Sequence, residues 1–183
     1  NNSYGSKVFV EEGGFFLNNE MDDFSSKPGH PNFYGLIGSE ANSIQPGKRM
    51  LSSMTPSIIL KNNKPSLIVG TPGGSTIITS VLQTILNVYE FDMSVQEAVN
   101  AARFHHQWLP DVVIFEEGIV DKEKDSILKS KSYYVISLPI EVDTGGMSAR
   151  SSIGAVDAIL IDRKGKVSTG ADFRGDDYGE ILK

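Results

Sequence analysis

Residues 48–75 read KRMLSSMTPSIILKNNKPSLIVGTPGGS, and the reading of this stretch decides the architecture. Residues 58–60 and 67–70 are aliphatic, β-rich runs broken by the polar turn 61–65 of Lys, Asn and Pro, so they predict a hairpin. At one end of it stand Ser52 and Ser53, flanked by Leu51 and Met54, which could hold the two hydroxyls against a core. At the other end Thr71-Pro72-Gly73-Gly74-Ser75 leads into residues 76–90, where Ile77, Ile78, Val81, Leu82, Ile85, Leu86 and Tyr89 recur at helical spacing. A hairpin brings its ends together, so the serines and the glycines are expected near one another. A glycine pair between strand and helix exposes backbone N–H groups: with no Cβ, a reacting oxygen can approach closely, and the helix N-terminus adds partial positive charge. That is the outline of an oxyanion hole, although a Gly pair taken alone is more often only a tight turn.

Outward from this centre, residues 7–10 and 15–17 predict a short hairpin across Glu11-Glu12-Gly13-Gly14, with 18–23 at the end of its second strand. Residues 25–39 hold Pro28, Gly29, Pro31, Gly35 and Gly38, a density that predicts a surface loop. Ser94 and Glu97 form a capping-box pattern ahead of a second helix over 95–102, and two consecutive helices would cover one face of the sheet. A strand over 112–115, a charged helix over 121–131, a strand over 133–138, a flexible connection over 141–154 and a final hairpin, 155–162 with 166–169, complete the chain. The fold class is α+β.

The 183 residues suffice for one compact domain with a real core. No apolar run is long enough to cross a membrane. With 17 Lys and Arg against 23 Asp and Glu, the net charge of −6 repels a nucleic-acid backbone, so nucleic acid is not an expected partner. The absence of Cys removes disulfides, thiol nucleophiles and Cys-ligated zinc.

Three sets of residues could carry chemistry. Glu20 and Asp23, three apart, can converge on one ammonium, worth about 1.5–3 kcal/mol as a charge-assisted hydrogen bond; the alternative is a solvated acidic turn, the better description of Asp22. Ser52 and Ser53 offer O–H donors to a carboxylate, or else form a turn or helix cap. Gly73 and Gly74 offer the N–H groups described above. His105 and His106 are adjacent, so their side chains diverge, and no carboxylate sits at ligand spacing; no metal is expected. Phe104 and Trp108 are expected in the core, and Arg103 could pair with Asp111.

Four blocks in order, FLNNEMDDFSSKPG at 16–29, RMLSSMTPSI at 49–58, GTPGGSTIIT at 70–79 and RFHHQWLPD at 103–111, resemble the small subunit of the γ-glutamyltransferases, or glutathione hydrolases. These enzymes belong to the N-terminal nucleophile hydrolase superfamily. The resemblance extends from Asn1 to about Asp177. It implies an αββα four-layer sandwich, of which residues 1–183 supply only part, with a lid-like loop at 28–39. It implies that Asp23, helped by Glu20, binds the α-amino group of a γ-glutamyl substrate. Ser52 and Ser53 would hold the α-carboxylate together with an Arg of the large subunit, and Gly73 and Gly74 would form the oxyanion hole. Asn1 would lie near the substrate amino group, with Tyr34 of the lid in hydrogen-bonding reach of it. Asp172-Phe173-Arg174-Gly175 is similar to the family's Asp-Pro-Arg segment and is assigned no chemistry.

The implied activity is γ-glutamyl acyl transfer, hydrolysing glutathione and other γ-glutamyl amides or passing the acyl group to amino acids and peptides. It uses no cofactor. The implied setting is periplasmic or extracellular. The family's nucleophile is an N-terminal Thr released by autocleavage, and it is expected upstream of Asn1, so this chain alone is expected to be inactive. Thr71 and Thr76 are internal and poor substitutes. The rivals are a glutaryl or cephalosporin acylase or a poly-γ-glutamate depolymerase of the same superfamily, and a non-catalytic binding fragment. A glutaryl substrate, lacking an α-amino group, would leave Asp23 idle.

Overall fold

The computed structural model describes residues 4–139 and 153–182, which fall into two compact units, 1–53 and 54–183. The α+β class is as expected, with helices and strands in both local and long-range arrangements.

In the first unit, strands β1 (Phe9–Val10) and β2 (Phe15–Phe16) pair antiparallel, with the Phe9 and Phe16 rings 5.2 Å apart. The hairpin is shorter than the sequence predicts, because two residues a side form the whole ladder. Residues 18–23 do not end a strand. Asn18 Oδ1 accepts the Glu20 N–H at 3.1 Å, and this local bond turns the chain into a 3-10 helix, Glu20–Asp23. Residues 25–39 form the expected loop. Asn32 organises it, its Oδ1 accepting from Tyr34 N and Leu36 N, each at 3.0 Å, and an isolated bridge between Pro31 and Ile37 closes it. A second 3-10 turn, Glu40–Asn42, follows.

The second unit is built on the predicted central hairpin, β3 (Ser57–Lys61) and β4 (Lys64–Gly70). Its turn is Asn62-Asn63, with φ of 54° and 59°, a conformation Asn tolerates better than bulkier residues. Strands β8 (Asp157–Ile161) and β9 (Val167–Gly170) continue an antiparallel sheet in the order β3-β4-β8-β9. Leu67, Val69 and Ala158 face α1 (Ile77–Tyr89) and α2 (Val95–Asn100), where they join Val81, Val99 and Val156 in the core. Full burial of an aliphatic chain such as Leu67 is worth about 1.5–3 kcal/mol. The capping box is formed as predicted: Ser94 and Glu97 exchange side-chain and backbone bonds, which hold the Glu97 carboxyl below its usual range.

The alternate face of the sheet carries a cross-strand row, Ile58 beside Ile68 beside Ile159, with Ile58 63% exposed. One covered face and one open apolar face are what a helix-and-sheet pair looks like when it is part of a four-layer sandwich.

A second, three-stranded sheet, β5-β6-β7, comprises β5 (Phe104–His105), which sequence patterning missed, β6 (Val113–Glu116) and β7 (Val135–Leu138). The β6–β7 pair is parallel, and α3 (Lys122–Ser130) makes the crossover. Gln83 of α1 latches β5 by accepting Phe104 N and donating to Phe104 O. Two side chains expected in the core are not there: Trp108, in the bend that follows β5, is 72% exposed, and Phe104 is also exposed, because this short strand lies at the edge of its sheet. Of the predicted connection 141–154, only Ile153 and Gly154 lie among the described residues, and both are buried.

Candidate active site

The acidic turn takes its geometry from the 3-10 helix. Side chains at i and i+3 eclipse in that helix, so Glu20 and Asp23 share one side and are half-buried, while Met21 and Asp22 project into solvent. Asp22 Oδ2 lies 3.4 Å from the Phe33 N–H of the loop.

Ser52 and Ser53 lie in a segment without regular secondary structure and open no helix, so neither is a cap. Their neighbours do not hold them against a core as the sequence suggested. Leu51 and Met54 are exposed, since the segment runs along the surface rather than beneath a layer. What does join this segment to the acidic turn is Asn42. Its Nδ2 donates to Asp23 O at 2.7 Å, and its Oδ1 accepts the Leu51 N–H at 3.0 Å. One short amide therefore sets the carbonyl of Asp23 within about 8 Å of the residue preceding the serine pair. Tyr34, half-buried in the loop, packs edge-on against Phe33 with ring centroids 5.2 Å apart. Asn1 lies outside the described residues.

Gly73 and Gly74 belong to the second unit. They turn the chain from β4 into α1 with φ of 144° and 56°, and among the described residues no group accepts from either N–H. Neighbouring groups fix this turn without using those amides. Thr76 sends both its N–H, at 3.1 Å, and its Oγ1, at 2.9 Å, to Gly73 O. Thr71 Oγ1 donates to Pro72 O at 2.7 Å and accepts the Ala155 N–H at 2.9 Å. Gly154, with φ of 74°, presses its Cα against the turn, so that a Cβ on Gly73 would stand 3.2 Å from it and 2.6 Å from Thr76 Oγ1. Both threonine hydroxyls are thus occupied in shaping the turn, which disqualifies them further as nucleophiles.

Behind Gly154 lies a charge-balanced tetrad that sequence reasoning left unassigned. Arg174 grips Glu116 with two bonds, Nε to Oε1 at 2.9 Å and Nη2 to Oε2 at 2.6 Å, and reaches Asp172 Oδ1 at 2.9 Å. Arg103 pairs with the other Asp172 oxygen and donates to Ile153 O at 2.8 Å and Gly154 O at 3.3 Å. The expected Arg103–Asp111 pair does not form. Arg103 is buried with Asp172, and Asp111 instead meets His106 Nε2 at 3.0 Å on the surface. Burial pushes the Arg103 guanidinium down, against the pull of Asp172. Burial alone would raise Asp172, yet Arg103 and the N–H groups of Val156 and Arg174 outweigh it and hold the carboxyl below its usual range. His105 is committed within the unit, Nδ1 2.9 Å from Thr79 Oγ1 and Nε2 2.8 Å from Gln107 Oε1.

The family profile described as Gamma-glutamyltranspeptidase matches residues 1–182. The chain belongs to the gamma-glutamyltranspeptidase family. It is 41% identical over 177 residues to the glutathione hydrolase proenzyme of Escherichia coli K12, covering 97% of this chain and 28% of that protein. It is 44% identical over 183 residues to the glutathione hydrolase proenzyme of Pseudomonas aeruginosa, covering 98% of this chain and 30% of that protein. Among solved structures it matches the gamma-glutamyltranspeptidase of Pseudomonas nitroreducens complexed with L-DON, at 42% identity and a TM-score of 0.83, covering 100% of this chain and 90% of that one. The chain therefore spans under a third of the curated gamma-glutamyltranspeptidase relatives named here, and its fold is that of the N-terminal nucleophile hydrolases. Asn42, Thr71 and Gly154 are the site-shaping residues that sequence reading overlooked; the one signal for the first is its place between two blocks of the family pattern.

Proposed function

We propose that residues 1–183 are the small-subunit portion of a γ-glutamyl acyltransferase, supplying the site for the donor's amino acid head and the oxyanion hole for its γ-carbonyl. The observation that carries this reading is the pair of amides at Gly73 and Gly74, from which no group among the described residues accepts, in a locked turn ahead of a thirteen-residue helix. In the reaction, a threonine hydroxyl from the remainder of the precursor attacks the γ-amide carbon, and its proton passes to that threonine's own free α-amine. The carbonyl oxygen becomes an oxyanion that accepts from the Gly73 and Gly74 N–H groups. Collapse expels the amine, which takes the proton back, and leaves a γ-glutamyl ester. Water then yields glutamate, or an amino acid or peptide amine yields a new γ-glutamyl amide. Asp23 with Glu20 would hold the α-ammonium, Ser52 and Ser53 the α-carboxylate, Asn1 and Tyr34 the rim, and the loop 28–39 the lid.

The partner is the remainder of the precursor, the large subunit, which would add the Arg that binds the carboxylate. Two features support it: the short span relative to the family, and the apolar stripes left open on the Ile58-Ile68-Ile159 row and on Ile78, Leu82 and Leu86 of α1.

The test uses the complete processed protein with γ-glutamyl and glutaryl p-nitroanilides. Release from the γ-glutamyl compound far above the glutaryl one, with the difference removed by Asp23→Asn, supports the reading. Equal release from both favours an acylase, and glutamate binding without release favours a binding fragment.

A further inference from the structure

Asn42 closes the turn Glu40–Asn42, and all four of its polar groups are engaged in the first unit. Its N–H donates to Ser39 O at 3.1 Å, and its carbonyl accepts the Ser25 N–H at 2.9 Å. Its side chain spans from Asp23 O to the Leu51 N–H. The backbone on either side is held by Lys48, whose Nζ donates to Ala41 O at 2.8 Å and Ser43 O at 3.0 Å. Asn42 thereby ties together the two segments assigned above to opposite charges of an amino acid head, and it does so through backbone atoms, leaving the carboxylate of Asp23 and the serine hydroxyls unused by it.

We propose that Asn42 is a positioning residue that sets the separation between the ammonium-binding Asp23 and the carboxylate-binding serine pair, and so determines selectivity for a zwitterionic acyl donor. This rests on the reading of Asp23, Ser52 and Ser53 given above. The chemistry restricts the side chain. A serine presents one oxygen and cannot span both atoms, a glutamine is a methylene too long, and an ionised aspartate lacks the donor and sets an anionic oxygen against the lone pairs of the Asp23 carbonyl. A head held at the wrong spacing binds weakly, while the acyl carbon and the oxyanion amides are untouched. The loss should fall on KM rather than on kcat.

The experiment compares Asn42→Ala, Asn42→Asp and Asp23→Asn in the complete precursor, after checking self-cleavage and the melting temperature. For Asn42→Ala, which removes both side-chain bonds, the expected result is a KM for γ-glutamyl p-nitroanilide raised at least about tenfold, with kcat little changed and the preference over glutaryl p-nitroanilide reduced in proportion. For Asn42→Asp the KM defect relative to the unmodified protein should shrink as pH falls through the carboxyl range, since a protonated carboxyl can again donate to Asp23 O while accepting from Leu51 N. A merely structural residue would lower the melting temperature without moving selectivity or acquiring that pH profile, and this overturns the inference. If Asn42→Ala does not mature, Asn42→Asp carries the test alone. If Asp23→Asn raises KM and neither Asn42 variant does, only the inference fails; if Asp23→Asn leaves KM unchanged, the head-group reading itself fails.

Discussion

Ala155 donates its backbone N–H to Thr71 Oγ1 at 2.9 Å, joining positions 84 apart in sequence at the entrance to the glycine turn. The bond fixes the strand leading into β8 against the residue that follows β4, and through Gly154 it confines Gly73. Thr71→Val keeps the shape and removes the acceptor, leaving a buried N–H unpaired at a cost of about 1–3 kcal/mol. Release of p-nitroaniline by the complete protein should show a lower kcat at nearly constant KM, with Thr71→Ser close to the unmodified enzyme. Unchanged kcat and unchanged urea resistance in Thr71→Val would show that the hydroxyl holds nothing.

Gly73→Ala places a methyl group against Thr76 Oγ1 and Gly154 in a backbone conformation that side chains rarely adopt. If the Gly73 amide receives the oxyanion, kcat should drop by about 100- to 1000-fold. Donor affinity, measured as competitive inhibition by glutamate, should stay within a small factor, because the head-group residues belong to another segment.

Arg174→Met removes the cation that satisfies both oxygens of Glu116, and all of these groups are inaccessible to solvent. Glu116 keeps the N–H groups of Arg103 and Ile153 but loses its paired cation, and breaking a buried ion pair in this way costs about 3–5 kcal/mol, readable as earlier urea unfolding of the second unit. Unfolding at the unmodified urea concentration would mean that the tetrad contributes no net stability.

The pH dependence follows from Asp172. Its folded carboxyl titrates below its unfolded value, so the stability it contributes is fully present above the ordinary aspartate range, near about pH 4, and is lost as pH falls through the lower folded value. Equilibrium unfolding followed from pH 6 downward should therefore steepen below about pH 4. In Asp172→Asn that part of the slope should vanish: the variant is weaker above about pH 4 and converges on the unmodified protein as pH falls through the lower folded value.

The turn Asn62-Asn63 makes a smaller prediction. Both residues sit in the left-handed region, which costs a residue with a branched Cβ about 1–2 kcal/mol. Asn63→Val should speed amide hydrogen exchange in β3 and β4, and Asn63→Gly should leave it unchanged or slower.

Local patterning fixed most elements. The alternation around Ile58 and Leu67, the helical spacing from Ile77 to Tyr89 and the Ser94–Glu97 box all appear where the sequence puts them, because each depends on neighbours within a few residues. The acidic turn was misjudged as a strand end because a single side-chain bond from Asn18 decides it. The two-residue strand β5 escaped notice because so short a ladder has no period to detect.

The residue types of the candidate site, Glu20, Asp23, Ser52, Ser53, Gly73 and Gly74, are legible in the chain itself, since charge, hydroxyl and missing Cβ are properties of single residues. Their supports were not. Asn42 between Asp23 and Leu51, Thr71 against Ala155, and Arg103 and Arg174 against Glu116 and Asp172 are pairings of polar groups distant in sequence. A polar side chain carries no mark of which partner will relieve its burial; only the packed chain, in which unsatisfied groups are costly, selects one.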